Sequence, residues 1–233
     1  MNNKSALQFY KQLANKPDNN PSSVKLAHNS DYTDIDAKFI LKYLDNDKTV
    51  LDLGSGTGLI VNKISDKAKS IDCVEVFEEF SQFIEKKENV QIINTDIKSY
   101  NTDKKYDLIL LFGIIQYFSK DEATDIYNKC YDYLKPNGRI IIKNQFGIKD
   151  DVIASGYSEE QKADYFSEYR HIDKETNMLK TAGFDNLEIT DIYPAYANRW
   201  NNTHFYAITG IKPPCRKADY GSVKKHKTET NKH

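Results

Sequence analysis

At 233 residues, with 33 basic and 34 acidic side chains, a net charge of −1 and 39% hydrophobic content, the chain suits one large soluble domain with accessory segments. The balanced charge argues against a surface built to grip nucleic acid, and no apolar run approaches the roughly 20 residues that cross a bilayer. Cys73, Cys130 and Cys215 lie far apart with no CxxC pairing, which argues against a disulfide framework or a cysteine zinc site and for a reducing cytoplasm.

In chain order, residues 1–20 have neither the apolar core nor the small-residue cleavage site of a secretory signal. A short helix is expected at about 5–14, then the polar breaker cluster NKPDNNPSS (15–23). Ile35, Phe39, Ile40, Tyr43 and Leu44 recur at helical spacing and predict a helix over 34–44. From residue 49 strands and helices alternate. TVLDL (49–53) precedes a helix from Gly58 to Ser65, and SIDCVEV (70–76) precedes the helix EEFSQFIEKK (78–87). VQIINTD (90–96) and KYDLILLFG (105–113) are the next two strands. Ser119 and Glu122 form a capping box for a helix to about Leu134, and PNG turns the chain into the strand GRIIIKNQF (138–146). Short apolar strands alternating with helices predict a doubly wound, mostly parallel sheet with helices on both faces.

After residue 147 a polar loop is expected, then the helix DKETNMLKTAG (173–183) ended by Gly183. NLEITDIY (186–193) and THFYAITGI (203–211) complete seven strands. About ten residues between them are too few for a helical crossover, so these two are expected to pair antiparallel, with the last strand reversed. Residues from 212 on are basic with no apolar period and are read as a solvated, disordered tail. The expected organisation is an N-terminal helical cap over 1–32, one α/β domain over 33–211, and the tail over 212–233.

VLDLGSGTG places Gly54, Gly56 and Gly58 at alternate positions where an open α/β sheet binds ligands. Glycines allow a tight turn and close approach of a ligand to the backbone. The dinucleotide fingerprint wants its third glycine where Leu59 stands. No Gly-Lys-Ser/Thr follows, so a phosphate P-loop is excluded. The next strand ends in Glu75, whose carboxylate can accept from both hydroxyls of a ribose. A nucleoside is indicated more firmly than which nucleoside.

VLDLGSGTG followed by CVEVF, NTDI and YDLILLFGIIQYF resembles the class I S-adenosylmethionine-dependent methyltransferases of the small-molecule type, closely over about 35–146 and more loosely to 211. The resemblance implies S-adenosylmethionine as cofactor, S-adenosylhomocysteine as product, and no metal. Asp52, Gly54, Ser55, Gly56 and Gly58 would surround the methionine part, and Glu75 would hold the ribose. Val76 would pack on adenine, Asp96 would accept from its amino group, and the Ile97 backbone would meet a ring nitrogen. Phe112 and Gly113 would lie beside the sulfonium. The N-terminal region, with His28 and Tyr32, resembles the cap of small-molecule relatives.

Many relatives place a histidine after the fourth strand, where this chain has Gln116 and Tyr117. Gln116 can orient an acceptor, and Tyr117 can deprotonate one only with a lowered pKa. The loops after the fifth strand and between the last two strands offer Tyr169, Arg170 and His171, and Arg199 and His204. Two of only four arginines fall in these loops, and arginine forks suit phosphate or carboxylate. His171 is thus a candidate base, or merely a cap of the following helix. Tyr169, Arg170, Arg199 and His204 are candidates for binding the acceptor. The expected activity is methylation of an oxygen on an anionic, sugar-like or phosphorylated metabolite, such as a surface-glycan precursor. Rival readings are a nucleic-acid methyltransferase, which lacks its Asn/Asp-Pro-Pro-aromatic motif here, a NAD-dependent oxidoreductase, and a cofactor-binding regulator without turnover. No oligomeric state is readable.

Overall fold

The computed structural model describes residues 4–24, 31–158, 163–198 and 200–214. His28, Arg199 and the basic tail from Cys215 onward fall outside the described residues.

Seven strands form one sheet: β1 (Thr49–Leu53), β2 (Ser70–Glu75), β3 (Val90–Asn94), β4 (Tyr106–Phe112), β5 (Leu134–Gly147), β8 (Asp185–Asp191) and β9 (Thr203–Ile211). Their order is β3-β2-β1-β4-β5-β9-β8. β9 runs antiparallel to both neighbours, and β1 to β5 pair in parallel. Leu108–Leu111 and Ile140–Ile142 are wholly buried, as expected for strands covered on both faces. The period of two assigns them to separate cores. Leu51, Leu53, Ile109, Leu111, Ile140 and Ile142 pack with α5 (Lys120–Tyr133) and α6 (Ile172–Thr181). Val50, Leu108, Leu110 and Ile141 pack on the other face with α2 (Thr33–Ile40) and α3 (Val61–Ile64).

Helix ends follow local chemistry. Ser119 and Glu122 make the reciprocal capping box of α5. At the end of α6, Gly183 (φ 103°) donates to the Lys180 carbonyl and Phe184 N–H to the Leu179 carbonyl, a Schellman closure.

Three expectations are corrected. The helix read from Gly58 begins only at Val61, because Gly58 sits at φ 77° and cannot join a right-handed helix. The helix read over 78–87 is only α4 (Glu78–Ser81). Beyond it Asn62 takes the backbone, accepting from Glu85 N–H at 2.9 Å and donating to the Phe83 carbonyl at 3.1 Å. The polar loop after 147 is instead a hairpin, β6 (Val152–Ser158) against β7 (Ala163–Tyr169), forming a second sheet. Its β-branched and aromatic content favours strands, and β7 packs against α1 (Lys4–Ala14).

Strand order reverses outward from β1, with β2 and β3 on one side and β4 and β5 on the other. The crevice past the ends of β1 and β4 is therefore the ligand position of this topology.

Candidate active site

At that crevice lies a cavity of about 340 Å³. Its floor is the turn after β1. Gly54 (φ 82°) and Gly56 (φ 53°) take left-handed backbone conformations, and a Cβ on Gly54 would press on Ile114 at 3.0 Å. Gly54 and Ser55 donate to the Val74 carbonyl at 2.8 and 3.1 Å, tying the turn to β2. Gly56 N–H donates to Glu75 Oε2 at 2.9 Å, and Phe77 N–H to Glu75 Oε1 at 3.0 Å. Gly58 does not line the cavity. It closes the turn, its N–H donating to the Ser55 carbonyl at 2.9 Å.

Three carboxylates reach this cavity from successive strand tips, Asp52, Glu75 and Asp96. Burial pushes the Asp52 carboxyl up to about 7; a Ser55 hydrogen bond opposes this and the Glu75 charge adds to it. Burial likewise raises Glu75, against its backbone N–H donors. Such carboxyls are held at a cost that a cationic or donor-rich ligand relieves. Asp96 also caps its own turn, accepting from Lys98 N–H at 2.7 Å. Val76, Phe77, Ile97, Phe112 and Gly113 complete the walls.

The roof is α1, which contributes Ala6, Leu7 and Tyr10. Tyr10 and Tyr117 hydroxyls meet at 2.6 Å, and Phe9 and Leu13 pack with Phe80. Burial pushes the Tyr117 pKa far above its usual value, so its hydroxyl keeps its proton at neutral pH. Gln116 Nε2 donates to the Gly113 carbonyl at 2.8 Å. Its Oε1 is buried with no partner among the described residues, at a cost of about 1–3 kcal/mol.

The far end has different chemistry. Asp36, Tyr32, Thr33, Lys143, Tyr193 and Phe205 line it. Tyr193 Oη lies 2.7 Å from both oxygens of Asp36, and Lys143 Nζ lies 3.3 Å from Asp36 Oδ2. Sequence reasoning missed this grouping because its members come from α2 and its N-cap, β5, the loop after β8, and β9. The one local signal was Lys143, which interrupts the apolar run of β5.

The loop candidates stand elsewhere. Arg170 is buried in an ion pair, Nε to Glu175 Oε2 at 2.6 Å, and donates to the Phe118 and Ile115 carbonyls at 2.8 and 3.1 Å. It braces the Gln116–Tyr117 turn rather than facing a ligand. His171 caps α6, its Nδ1 accepting from Asp173 N–H at 3.2 Å, with Nε2 2.7 Å from the Ile148 carbonyl. Tyr169 is buried in β7 outside the cavity lining. His204 is engaged by Asp191 and Asn198 at 2.7 and 2.8 Å, also outside the lining. Tyr169, Arg170, His171 and His204 thus stand outside the residues that line the cavity.

The residues present fit S-adenosylmethionine: glycine backbone for close approach, two acids raised by burial, and a third, Asp96, on a cavity that Val76 and Ile97 also line. Residues 50–138 match the methyltransferase domain family. The chain is 30% identical over 104 residues, 42% of its length, to malonyl-[acyl-carrier protein] O-methyltransferase 2 of Ilyobacter polytropus, covering 39% of that enzyme. The chain thus spans about two fifths (38–39%) of the length of the first curated relatives it matches. Phosphoethanolamine N-methyltransferase 1 of Haemonchus contortus, solved with phosphoethanolamine and S-adenosylhomocysteine, has a similar fold: TM-score 0.70 at 19% identity, over 95% of this chain and 51% of that one. The DhpI–SAM–HEP complex aligns with TM-score 0.68 at 14% identity, over 89% of this chain and 96% of that one. The matched segment is thus that of a methyltransferase domain, and the fold as a whole is similar to those of S-adenosylmethionine-dependent methyltransferases.

Proposed function

We propose that this chain transfers the methyl group of S-adenosylmethionine to an oxygen of a small-molecule acceptor bearing an anionic, sugar-like or phosphorylated group, leaving S-adenosylhomocysteine. The observation that carries this reading is one cavity with two chemically different ends, an acidic glycine-floored end and an end lined by aromatic rings around a lysine.

In this reading Asp52 and the Gly54–Gly56 backbone hold the methionine portion and Glu75 the ribose. Asp96, Val76 and Ile97 hold the adenine, and α1 is the cap. The bound cofactor supplies an electrophilic methyl carbon with a neutral thioether as leaving group. The chain supplies alignment, worth on the order of 7–11 kcal/mol at best. Gln116 Oε1 accepts a hydrogen bond from the acceptor or cofactor and fixes its pose. An acceptor oxygen that is already anionic needs no proton removed, which agrees with a turn after β4 that carries a glutamine and a firmly protonated tyrosine.

Calorimetry with S-adenosylhomocysteine and NAD, then transfer of labelled methyl to a panel of phosphorylated sugars, carboxylates, phenols and short RNA, tests the reading. Binding of the first ligand alone and an O-methylated small product are expected. Failure of S-adenosylhomocysteine to bind would sink the cofactor assignment. Methylation of RNA alone would replace small-molecule chemistry, and tight binding without any turnover would favour a regulator.

A further inference from the structure

Lys143 is the one cationic side chain among the described residues lining the cavity. It pairs in register with Phe112 across β4 and β5, and its carbonyl accepts from Gly113 N–H at 2.8 Å. It therefore sits one strand away from the residues placed beside the methyl group. Its Nζ lies 5.5, 5.1 and 5.9 Å from the ring centroids of Phe112, Tyr193 and Phe205, and its side chain is only 13% exposed.

We propose that Lys143 anchors the acceptor by taking its oxyanion, a carboxylate or a phosphate, while Asp36 and Tyr193 hold the ammonium in place. The proposal rests on the reading of this chain as a small-molecule methyltransferase. The hydrogen-bond inventory favours an anion over an amine. Both Asp36 oxygens already face the Tyr193 hydroxyl at 2.7 Å, and one also faces the ammonium. An ammonium carries three N–H donors, and Asp36 is its one ion-pair partner among the described residues. The remaining directions meet ring faces, which hold a cation but leave its donors unused. An incoming oxyanion would use them, whereas an incoming amine would have to expel Lys143. A lysine point charge, unlike an arginine fork, engages one oxygen and leaves another free to face the methyl group.

The test uses the full chain saturated with S-adenosylhomocysteine and a set of probes of similar size titrated by calorimetry: glycerol 3-phosphate, glycerate, glycerol and ethanolamine. The two anions are expected to bind and the other two not. Lys143→Met should weaken the anions roughly ten- to hundredfold, the loss of one charged hydrogen-bonding partner, and leave S-adenosylhomocysteine affinity within about twofold. Asp36→Asn should do the opposite and tighten the anions several-fold, because it removes a competing negative charge from the ammonium at nearly constant shape. Binding of ethanolamine in preference, no binding of either anion, or anion affinity unchanged in Lys143→Met overturns the proposal. So does weaker cofactor-product binding in Lys143→Met, which would place the lysine at the cofactor's own carboxylate. Loss of S-adenosylhomocysteine binding in the unmodified chain overturns the cofactor reading instead, so the two failures are distinct.

Discussion

Replacing Arg170 with methionine tests whether this arginine is a brace or a ligand contact. The guanidinium spans four buried bonds: two to Glu175 (2.6 and 3.2 Å) and one each to the Phe118 and Ile115 carbonyls. Glu175 is fully buried and also accepts from the Tyr127 hydroxyl. Methionine preserves much of the volume and leaves the Glu175 charge without its counterion, a loss of about 3–5 kcal/mol for a buried pair. The retained Tyr127 donor keeps the figure from the upper end, and the two bared carbonyls push it up again. About 4 kcal/mol is expected, a fall in Tm of roughly 8–16 °C for a domain of this size. Urea denaturation of Arg170→Met, Glu175→Leu and the double variant measures it. The double variant should be more stable than Arg170→Met, because removing both charges strands neither. A loss below about 1 kcal/mol in Arg170→Met, or strict additivity of the two changes, would refute the brace.

The raised Asp52 carboxyl gives a pH signature. Between pH 4 and about 7 the folded chain holds a proton that the unfolded chain has released, so stability falls as pH rises through that window, by on the order of 4 kcal/mol. The ammonium of a bound cofactor favours the charged form, so S-adenosylhomocysteine affinity should rise from pH 5.5 to 7.5 with proton release in calorimetry; a flat profile would refute this. Gly58→Ala should destabilise the chain by about 2–4 kcal/mol, since its Cβ would lie 2.7 Å from Ile84 Cγ1 and 3.1 Å from Ile84 Cα at φ 77°; chemical denaturation reads it directly. Glu75→Gln turns one accepting oxygen into a donor facing Gly56 or Phe77 N–H, and should weaken S-adenosylhomocysteine roughly tenfold or more. Unchanged affinity would show that Glu75 serves the turn alone.

The sheet and its glycine turn were legible because local signals agreed. Apolar runs bounded by turns marked β1 to β5, and the short gap before THFYAITGI forced an antiparallel partner. The acids at residues 52, 75 and 96 were readable because each sits at a fixed offset from a strand end. The far end of the cavity was not readable. Asp36 resembles any first-turn helix acid, and Tyr193 lies 157 residues from the carboxylate it binds. Arg170 was read toward an acceptor because a polar stretch between strands looks like an acceptor loop, whereas for His171 the helix-cap reading was already open beside that of a base. Only Glu175, five residues on, and the hairpin beside it show that the arginine is spent on the core.

The Tyr10–Tyr117 contact joins residues 107 positions apart. It belongs to a cover held by a hydroxyl pair, a small apolar and aromatic cluster and packing against β7, whereas the tray beneath is held by sheet ladders and two larger apolar cores. Such parts melt at different free energies. The cover is expected to detach as a sub-global unit while all seven strands stand, so exchange of ligand with solvent would require loss of the packing of α1 on Phe80, Tyr117 and β7 and no loss of the sheet.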